Sequence, residues 1–370
     1  MVSLAPTALA QRTFVVDDDG GPGVDFTAIQ PAVDAAVAGD RILIRGGFYS
    51  APTITKGVAL FAGRDVTVDA FTRPFTIRGV PVGEVVSLNG FERTGLSNAM
   101  RIESCRGTVI LQGLGPFVFL GALRFDRLDI VSSSDVRLVS AVAGRVLVDR
   151  SNAVFESCVV TPELGGSQVT IRRGEALFVA SEVYGMSDPR LPGITPVRLD
   201  SGTVRIVDSL LATGLRTPAV GAPAIAGTGS VVIDSRSVLR RDPGTPAIEA
   251  GITVTRREIP ILDTTTAPAG GTVEVALEDV PGAAYGLLVG LPAAPVAIPG
   301  IADPLAVAGG YVAFAGTLDA AGQTAHAIPL PANLDLLGVA IAWQAAVFDP
   351  AAPFTTVRLS NPSTYVHPDR

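Results

Sequence analysis

The sequence predicts an all-β protein: a parallel solenoid of short strands behind a single N-terminal helix, followed by a small antiparallel sandwich. Three observations point to this. Short Val/Ile/Leu-rich runs, each closed by Gly, Pro, Asp or Ser, follow one another from Arg41 to about residue 255 with no helical pattern between them. A Ser-centred motif recurs along them at a near-constant spacing. After Arg256-Arg257 that motif stops, and Gly, Ala and Pro dominate through Gly322.

The elements follow in order. Met1 to Ala10, MVSLAPTALA, ends in Ala8-Leu9-Ala10 before Gln11, the small-x-small form that signal peptidase accepts, although no positive n-region precedes it. Residues 1–10 are therefore expected to be a truncated signal peptide and the protein to be secreted or on the cell surface. From Asp25 to Gly39 the text DFTAIQPAVDAAVAG places Ile29, Val33, Ala36 and Val37 on one helical face, with Asp25 as cap and Gly39 as stop. Arg41-Ile42-Leu43-Ile44-Arg45 then reads as a strand closed by Gly46-Gly47.

The repeat decides the fold. Phe155-Glu156-Ser157-Cys158-Val159, Val179-Ala180-Ser181-Glu182-Val183, Val207-Asp208-Ser209-Leu210-Leu211 and Ile233-Asp234-Ser235-Arg236-Ser237 superpose, with serines 24, 28 and 26 residues apart. An earlier copy, Ile102-Glu103-Ser104-Cys105-Arg106, lies 53 residues before Ser157. The alternation within each copy is that of a strand with one face inward. A period near 26 is shorter than a βαβ unit, which needs roughly 30 residues or more, whereas three short parallel strands fill it. The expectation is roughly eight coils about 4.8 Å apart, with Ser157, Ser181, Ser209 and Ser235 in one inward column. Cys105 and Cys158 each follow a ladder serine, so both should point outward two coils apart, roughly 9.6 Å between Cα atoms, beyond the reach of a disulfide at about 7 Å.

At this point the opening acquires a resemblance. Phe14-Val15-Val16-Asp17-Asp18-Asp19-Gly20, Asp25-Phe26-Thr27-Ala28-Ile29-Gln30, Ala35 to Ile44 and Gly47-Phe48-Tyr49 resemble the start of right-handed parallel β-helix proteins of the pectate-lyase-like superfamily. The resemblance implies that an amphipathic helix caps the open end of the solenoid and that the next strand begins the first coil. The implied fold is an all-β, right-handed parallel β-helix over 11–257, with a β-sandwich over 258–370. The latter, through Gly316 to Gly322, Ile328 to Pro331, Trp343 to Ala346 and Leu359-Ser360-Asn361, looks like a C-terminal module of secreted bacterial proteins. Such a fold is shared by lyases, esterases, hydrolases and non-enzymes, so it does not choose an activity.

Composition removes other classes. Of 370 residues 48% are hydrophobic and 17% charged, which excludes a disordered chain. A net charge of −7, with Lys56 the only lysine, argues against a nucleic-acid partner. No run of 18 apolar residues occurs, so no membrane span is expected. Both histidines, His326 and His367, lie in the C-terminal third, which excludes a Ser-His-Asp, Cys-His or multi-His metal site on the solenoid. Lys56 lacks a phosphate-binding loop, and no dinucleotide fingerprint opens a helix.

What remains are the chemistries natural to this fold, which use carboxylates, arginines and sometimes Ca²⁺; no cofactor is expected, with Ca²⁺ the one alternative. Asp17-Asp18-Asp19 is the densest carboxylate cluster, with a metal site weighed against a role in the cap. Around the insertion Tyr184 to Pro196, Arg198, Asp200 and Asp188 are candidate catalytic residues and Glu182, Arg190 and Asp208 candidate binding residues, against the alternative of ordinary surface charge. The catalytic patterns of polygalacturonase-like and pectin-methylesterase-like relatives are missing. Three functions stay open: a non-catalytic secreted solenoid that binds glycan or builds a cell-surface structure, a divergent lyase or glycoside hydrolase acting on acidic polysaccharide, and an adhesin or assembly subunit.

Overall fold

The computed structural model describes residues 11–70, 72–91, 93–94, 99–113, 123–161, 168–185, 194–213, 222–241, 244–265, 267–268, 270–331, 338–349 and 357–367. The expected signal remnant, 1–10, lies outside them. Among the described residues the chain is an all-β parallel solenoid of about eight turns with one helix, and antiparallel sheets at the C-terminus. Among the described residues no helix is long and apolar enough to cross a membrane.

Three walls of in-register parallel strands make the solenoid. Sheet 1 runs from Thr13–Val16 through Arg41–Ile44, Ala59–Ala62, Val85–Asn89, Thr108–Gln112, Asp135–Val139, Asn152–Glu156 and Glu175–Val179. It ends on the second halves of Val197–Val207 and Ile225–Ile233 and on Ile252–Arg256. Sheet 2 stacks Thr53–Ile54, Phe75–Arg78, Ala99–Glu103, residues 127–131 and 145–149, Val169–Arg172 and the first halves of the same two long strands. Sheet 3 contains Gly47–Ser50, Val66–Asp69 and Arg93–Thr94, and later Val159–Val160, Glu182–Tyr184, Leu210–Ala212 and Val238–Arg240.

Because every strand is in register, each inward position becomes a column of like residues. Leu60, Leu88, Leu111, Leu138, Phe155, Phe178, Ile206 and Ile233 form one on sheet 1. Ile54, Ile77, Ile102, Ile130, Val148, Ile171 and Leu199 form one on sheet 2, and both columns are buried. Phe155 and Phe178 stack with ring centroids 4.8 Å apart, the inter-strand spacing expressed in side chains.

The corners explain the serines and correct their register. Where sheet 1 turns into sheet 3, Ser140, Ser157, Ala180 and Asp208 take positive φ of 45° to 52°, so the following residue points inward. That residue is Cys158, Ser181 and Ser209 in successive coils. The Cys158 N–H donates to Ser181 Oγ at 3.0 Å, the Ser181 N–H to Ser209 Oγ at 3.0 Å, and the Ser209 N–H to Ser237 Oγ at 3.2 Å. The column is therefore Cys158, Ser181, Ser209, Ser237. Ser157 and Ser235 are exposed and do not belong to it. The motif centred on Ser157 stands one residue out because Cys158 occupies the serine's place, and that on Ser235 two residues out, one because Ile233 pairs with Ile206 and not Val207 and one because the last coil has an extra corner residue.

A second ladder follows sheet 2: the Cys105 N–H donates to Ser133 Oγ at 3.3 Å and the Ser133 N–H to Ser151 Oγ at 2.9 Å. Both cysteines are free, as expected, but for another reason. They face inward, buried, in two different corners. The helix also differs: it spans only Ile29–Ala35, and Asp25 instead accepts the Val15 N–H at 2.8 Å. Ile29, Val33 and Ala36 are buried as expected, but Val37, beyond the last turn, is 44% exposed.

The C-terminal third folds back along sheet 1. Its two antiparallel sheets are built from Ile261–Thr264, Thr272–Glu278 and Gln323–Pro329, and from Leu305–Thr317, Ala284–Val296, Ala340–Phe348, Val357–Leu359 and Ser363–Val366. They share a core around Val275, Leu287, Trp343 and Tyr365. One flank covers the outer face of sheet 1, so strands such as Thr108–Gln112 and Asp135–Val139 are buried on both sides. Ile110 packs with Ala340 and Val366, and Val179 and Val207 pack with Ile259.

The polar groups trapped there are paired. Arg137, 1% exposed, binds Asp135 at 3.0 Å, Thr364 Oγ1 at 2.5 Å, and the carbonyls of Ala293 and Ala306 at 2.8 and 2.9 Å. Gln112 exchanges two hydrogen bonds with Val366. Arg205 and Arg257 hold Asp303. Glu156 accepts from Ser363 Oγ and the Thr364 N–H, and burial pushes its pKa up to about 8.

Three outcomes follow. Removing one partner of a buried pair leaves an uncompensated charge, so Arg137→Ala should lower unfolding free energy by about 3–5 kcal/mol in urea titration. Glu156 binds its proton more tightly folded than unfolded, so its stabilisation is complete below pH 4.5 and lost as pH rises to about 8. Glu156→Gln should flatten stability across that window, as measured by denaturant midpoints. Thiol titration of the denatured, unreduced protein should count two, and the native protein should react far more slowly.

Candidate functional site

The described members of the expected constellation do not all meet in one place. Arg198 and Asp200 point outward from sheet 2, where Asp200 is shared: Arg198 Nε lies at 3.3 Å from one oxygen and Arg172 Nε at 3.3 Å from the other. Glu182 is on sheet 3 and accepts the Tyr184 hydroxyl hydrogen bond at 2.6 Å, with the Tyr184 pKa pushed up to about 12, chiefly by burial. Asp208 sits at the corner between sheets 1 and 3, and desolvation, partly offset by Arg236, raises its pKa. Asp188 and Arg190 lie outside the described residues. The candidates that are described thus occupy two walls and a corner, and Arg198 and Asp200 alone touch.

Asp17, Asp18 and Asp19 bring one carboxylate oxygen each within 4.8 Å of one another. Two of the three have structural work. Asp18 accepts the Phe48 N–H at 2.8 Å, while its own N–H donates to the Tyr49 hydroxyl at 3.1 Å; Asp17 accepts the Asp19 N–H at 3.3 Å and pairs with Arg45 at 3.3 Å. These bonds tie the entry strand to the first coil, the cap role weighed for them.

What the register does assemble is an arginine face. On the outside of sheet 2, Arg127 lies beside Arg145, and Arg101 pairs laterally with Asp129. Arg78 lies beside Glu103, and Asp149, Arg172 and Asp200 continue in line. At the corner bordering this face Arg150 and Arg173 take positive φ and project outward. Asp149 is shared by Arg150 at 3.6 Å and Arg173 at 3.5 Å, as Asp200 is by Arg172 and Arg198. One carboxylate between two guanidiniums leaves a local excess of positive charge. Glu103 and Asp129 hold Arg101 and Arg127 at 2.7 and 2.9 Å, orienting them at the surface. These guanidiniums are half or more exposed: 52% for Arg101, 56% for Arg127, 53% for Arg172 and 65% for Arg173.

The face thus carries positive charge on a chain of net charge −7. Near its N-terminal end an open hollow of about 310 Å³ is lined by Thr55, Arg78, Gly79, Glu103 and Ser104. By contrast, the cavity between sheet 1 and the C-terminal sheets, bordered by Asn152, Glu175, Arg205 and Gln344, measures about 40 Å³, room for a few waters. The arginines were legible as a pattern the serine repeat obscured: Arg101, Arg127, Arg145, Arg172 and Arg198 recur once per coil at outward positions of apolar strands.

No protein-family model matches the chain, and no curated protein matches it.

Exposed pairs contribute little, so Arg198→Ala and Asp200→Ala should each change unfolding free energy by less than about 1 kcal/mol in urea titration. Their effect should fall on whatever binds the face.

Proposed function

We propose that the chain is a secreted, non-catalytic β-helix of the pectate-lyase-like kind that binds an acidic glycan along the outer face of sheet 2. The arginine face carries this reading. Guanidinium forks match carboxylate and sulfate bidentately, and nearly all positive charge in this chain is guanidinium. Successive coils are stacked about 4.8 Å apart, close to the length of one sugar ring in an extended polymer, and present these groups staggered over three lateral positions, with Arg127 directly beside Arg145. The opposite requirement, a cleft for chemistry, finds little support. The outer face of sheet 1 is covered by the C-terminal sheets, and the described candidate catalytic groups are held in ion pairs on an open surface.

The test is a glycan array followed by titration at rising salt, with an assay for unsaturated uronide release with and without Ca²⁺. Binding to uronate- or sulfate-bearing chains, weakening as salt screens it, is expected. The triple variant Arg172→Ala, Arg173→Ala, Arg198→Ala should lose most of that affinity while keeping its melting temperature. Ca²⁺-dependent cleavage abolished by Arg198→Ala would replace this reading with a polysaccharide lyase.

A further inference from the structure

The edges of the described sheets are protected, with one exception. At the start of sheet 3, Asp18 accepts the Phe48 N–H; at the start of sheet 2, Gln30 accepts the Thr53 N–H. At the far end of the solenoid Val238–Arg240 and Ile252–Arg256 finish on arginines. Among the antiparallel strands, Ile261–Thr264 is held by Asn361, which bonds both the N–H and the carbonyl of Leu262, and Gln323–Pro329 ends in proline. Charge, proline and side-chain caps are the devices by which sheet edges avoid pairing with other chains.

Leu305–Thr317 is capped only at its start, where Gln344 Oε1 accepts the Ala306 N–H and Arg137 donates to the Ala306 carbonyl; its length from 308 to 317 has none of these devices. It is the edge of its sheet, paired on one side with Ala284–Val296, and its sequence LAVAGGYVAFAGT contains no charge and no proline. Tyr311 is 69% and Val312 56% exposed, and on the neighbouring strand Leu291 and Val296 are 58% and 61% exposed. From 281 to 318 Asp303 is the one ionisable carboxylate or cation, and it is turned inward to Arg205 and Arg257.

We infer that this edge pairs with the same edge of a second copy of the chain, antiparallel about a two-fold axis, joining two sheets into one. Self-pairing is the arrangement that the strand's geometry and charge both permit. A two-fold places the same patch on both partners, so an edge with free backbone groups satisfies its own copy. Two molecules of net charge −7 repel, and the uncharged hairpin is where they can meet without opposing like charges. The arginine faces are untouched by this contact, so a dimer would present two of them.

The test is sedimentation velocity across a concentration series on the full chain, comparing wild type with Tyr311→Lys and Val312→Lys. Both side chains are more than half exposed, so both variants should fold, with an unchanged far-ultraviolet circular dichroism spectrum. The wild type should sediment as a dimer and both variants as monomers. A wild type that stays monomeric up to its solubility limit overturns the inference. So does a dimer that survives both lysine variants, or association that grows past two copies without closing.

Discussion

In-register hydrogen bonding between successive coils is the constraint on which the molecule depends. Each strand pairs with the same segment one turn away, so every side chain sits above its counterpart, and a residue tolerated once must be tolerated in a column. Inward columns are accordingly aliphatic or aromatic, as in the run from Leu60 to Ile233. The corners need a positive φ, which exposes a backbone N–H to the interior. A serine hydroxyl from the next coil accepts it, as Ser181 does for Cys158 and Ser209 for Ser181. A buried N–H left without a partner would cost about 1–3 kcal/mol, so the ladders are a condition of turning the chain inside a dry core.

On the outer side of sheet 1 the same register sets Ile110, Val139, Val154, Val179 and Val207 among Gln112, Arg137, Glu156 and Arg205, and its apolar share favours a cover. The C-terminal sheets cover it with Ala340, Val366 and Ile259. Three polar clusters, around Arg137, Glu156 and Asp303, fix where they dock. These buried groups orient more than they stabilise, because desolvation offsets much of what their partners return. With sheet 1 covered, sheet 2 is left to the solvent with its arginines, the face on which the proposed function rests.

The solenoid was legible from local information. Alternating strands, closing turns and a period near 26 residues depend on side-chain polarity within a few residues, and the observed walls follow them. The ladder column was legible only in part, since Cys158 stands in for a serine and the sequence motif slid to Ser157. Cysteine and serine share size and shape, and only the strand pairing of Val159 with Glu182 distinguishes which residue fills the corner.

The sequence by itself determined the parallel solenoid, its helix and the change of architecture after Arg257; the unpaired state of Cys105 and Cys158 was expected, but their inward place in two different corners came from the fold. Tertiary structure alone decided that Arg137, Glu156 and Asp303 are interior, that Glu182 and Asp208 stand apart from Arg198, and that the arginines share one face. The reason is physical. Strand periodicity and turns are set by neighbours along the chain, whereas a coil whose length varies from one turn to the next assigns lateral partners only once the backbone hydrogen bonds are made. Burial of an outward residue such as Arg137 depends on Thr364, 227 residues away.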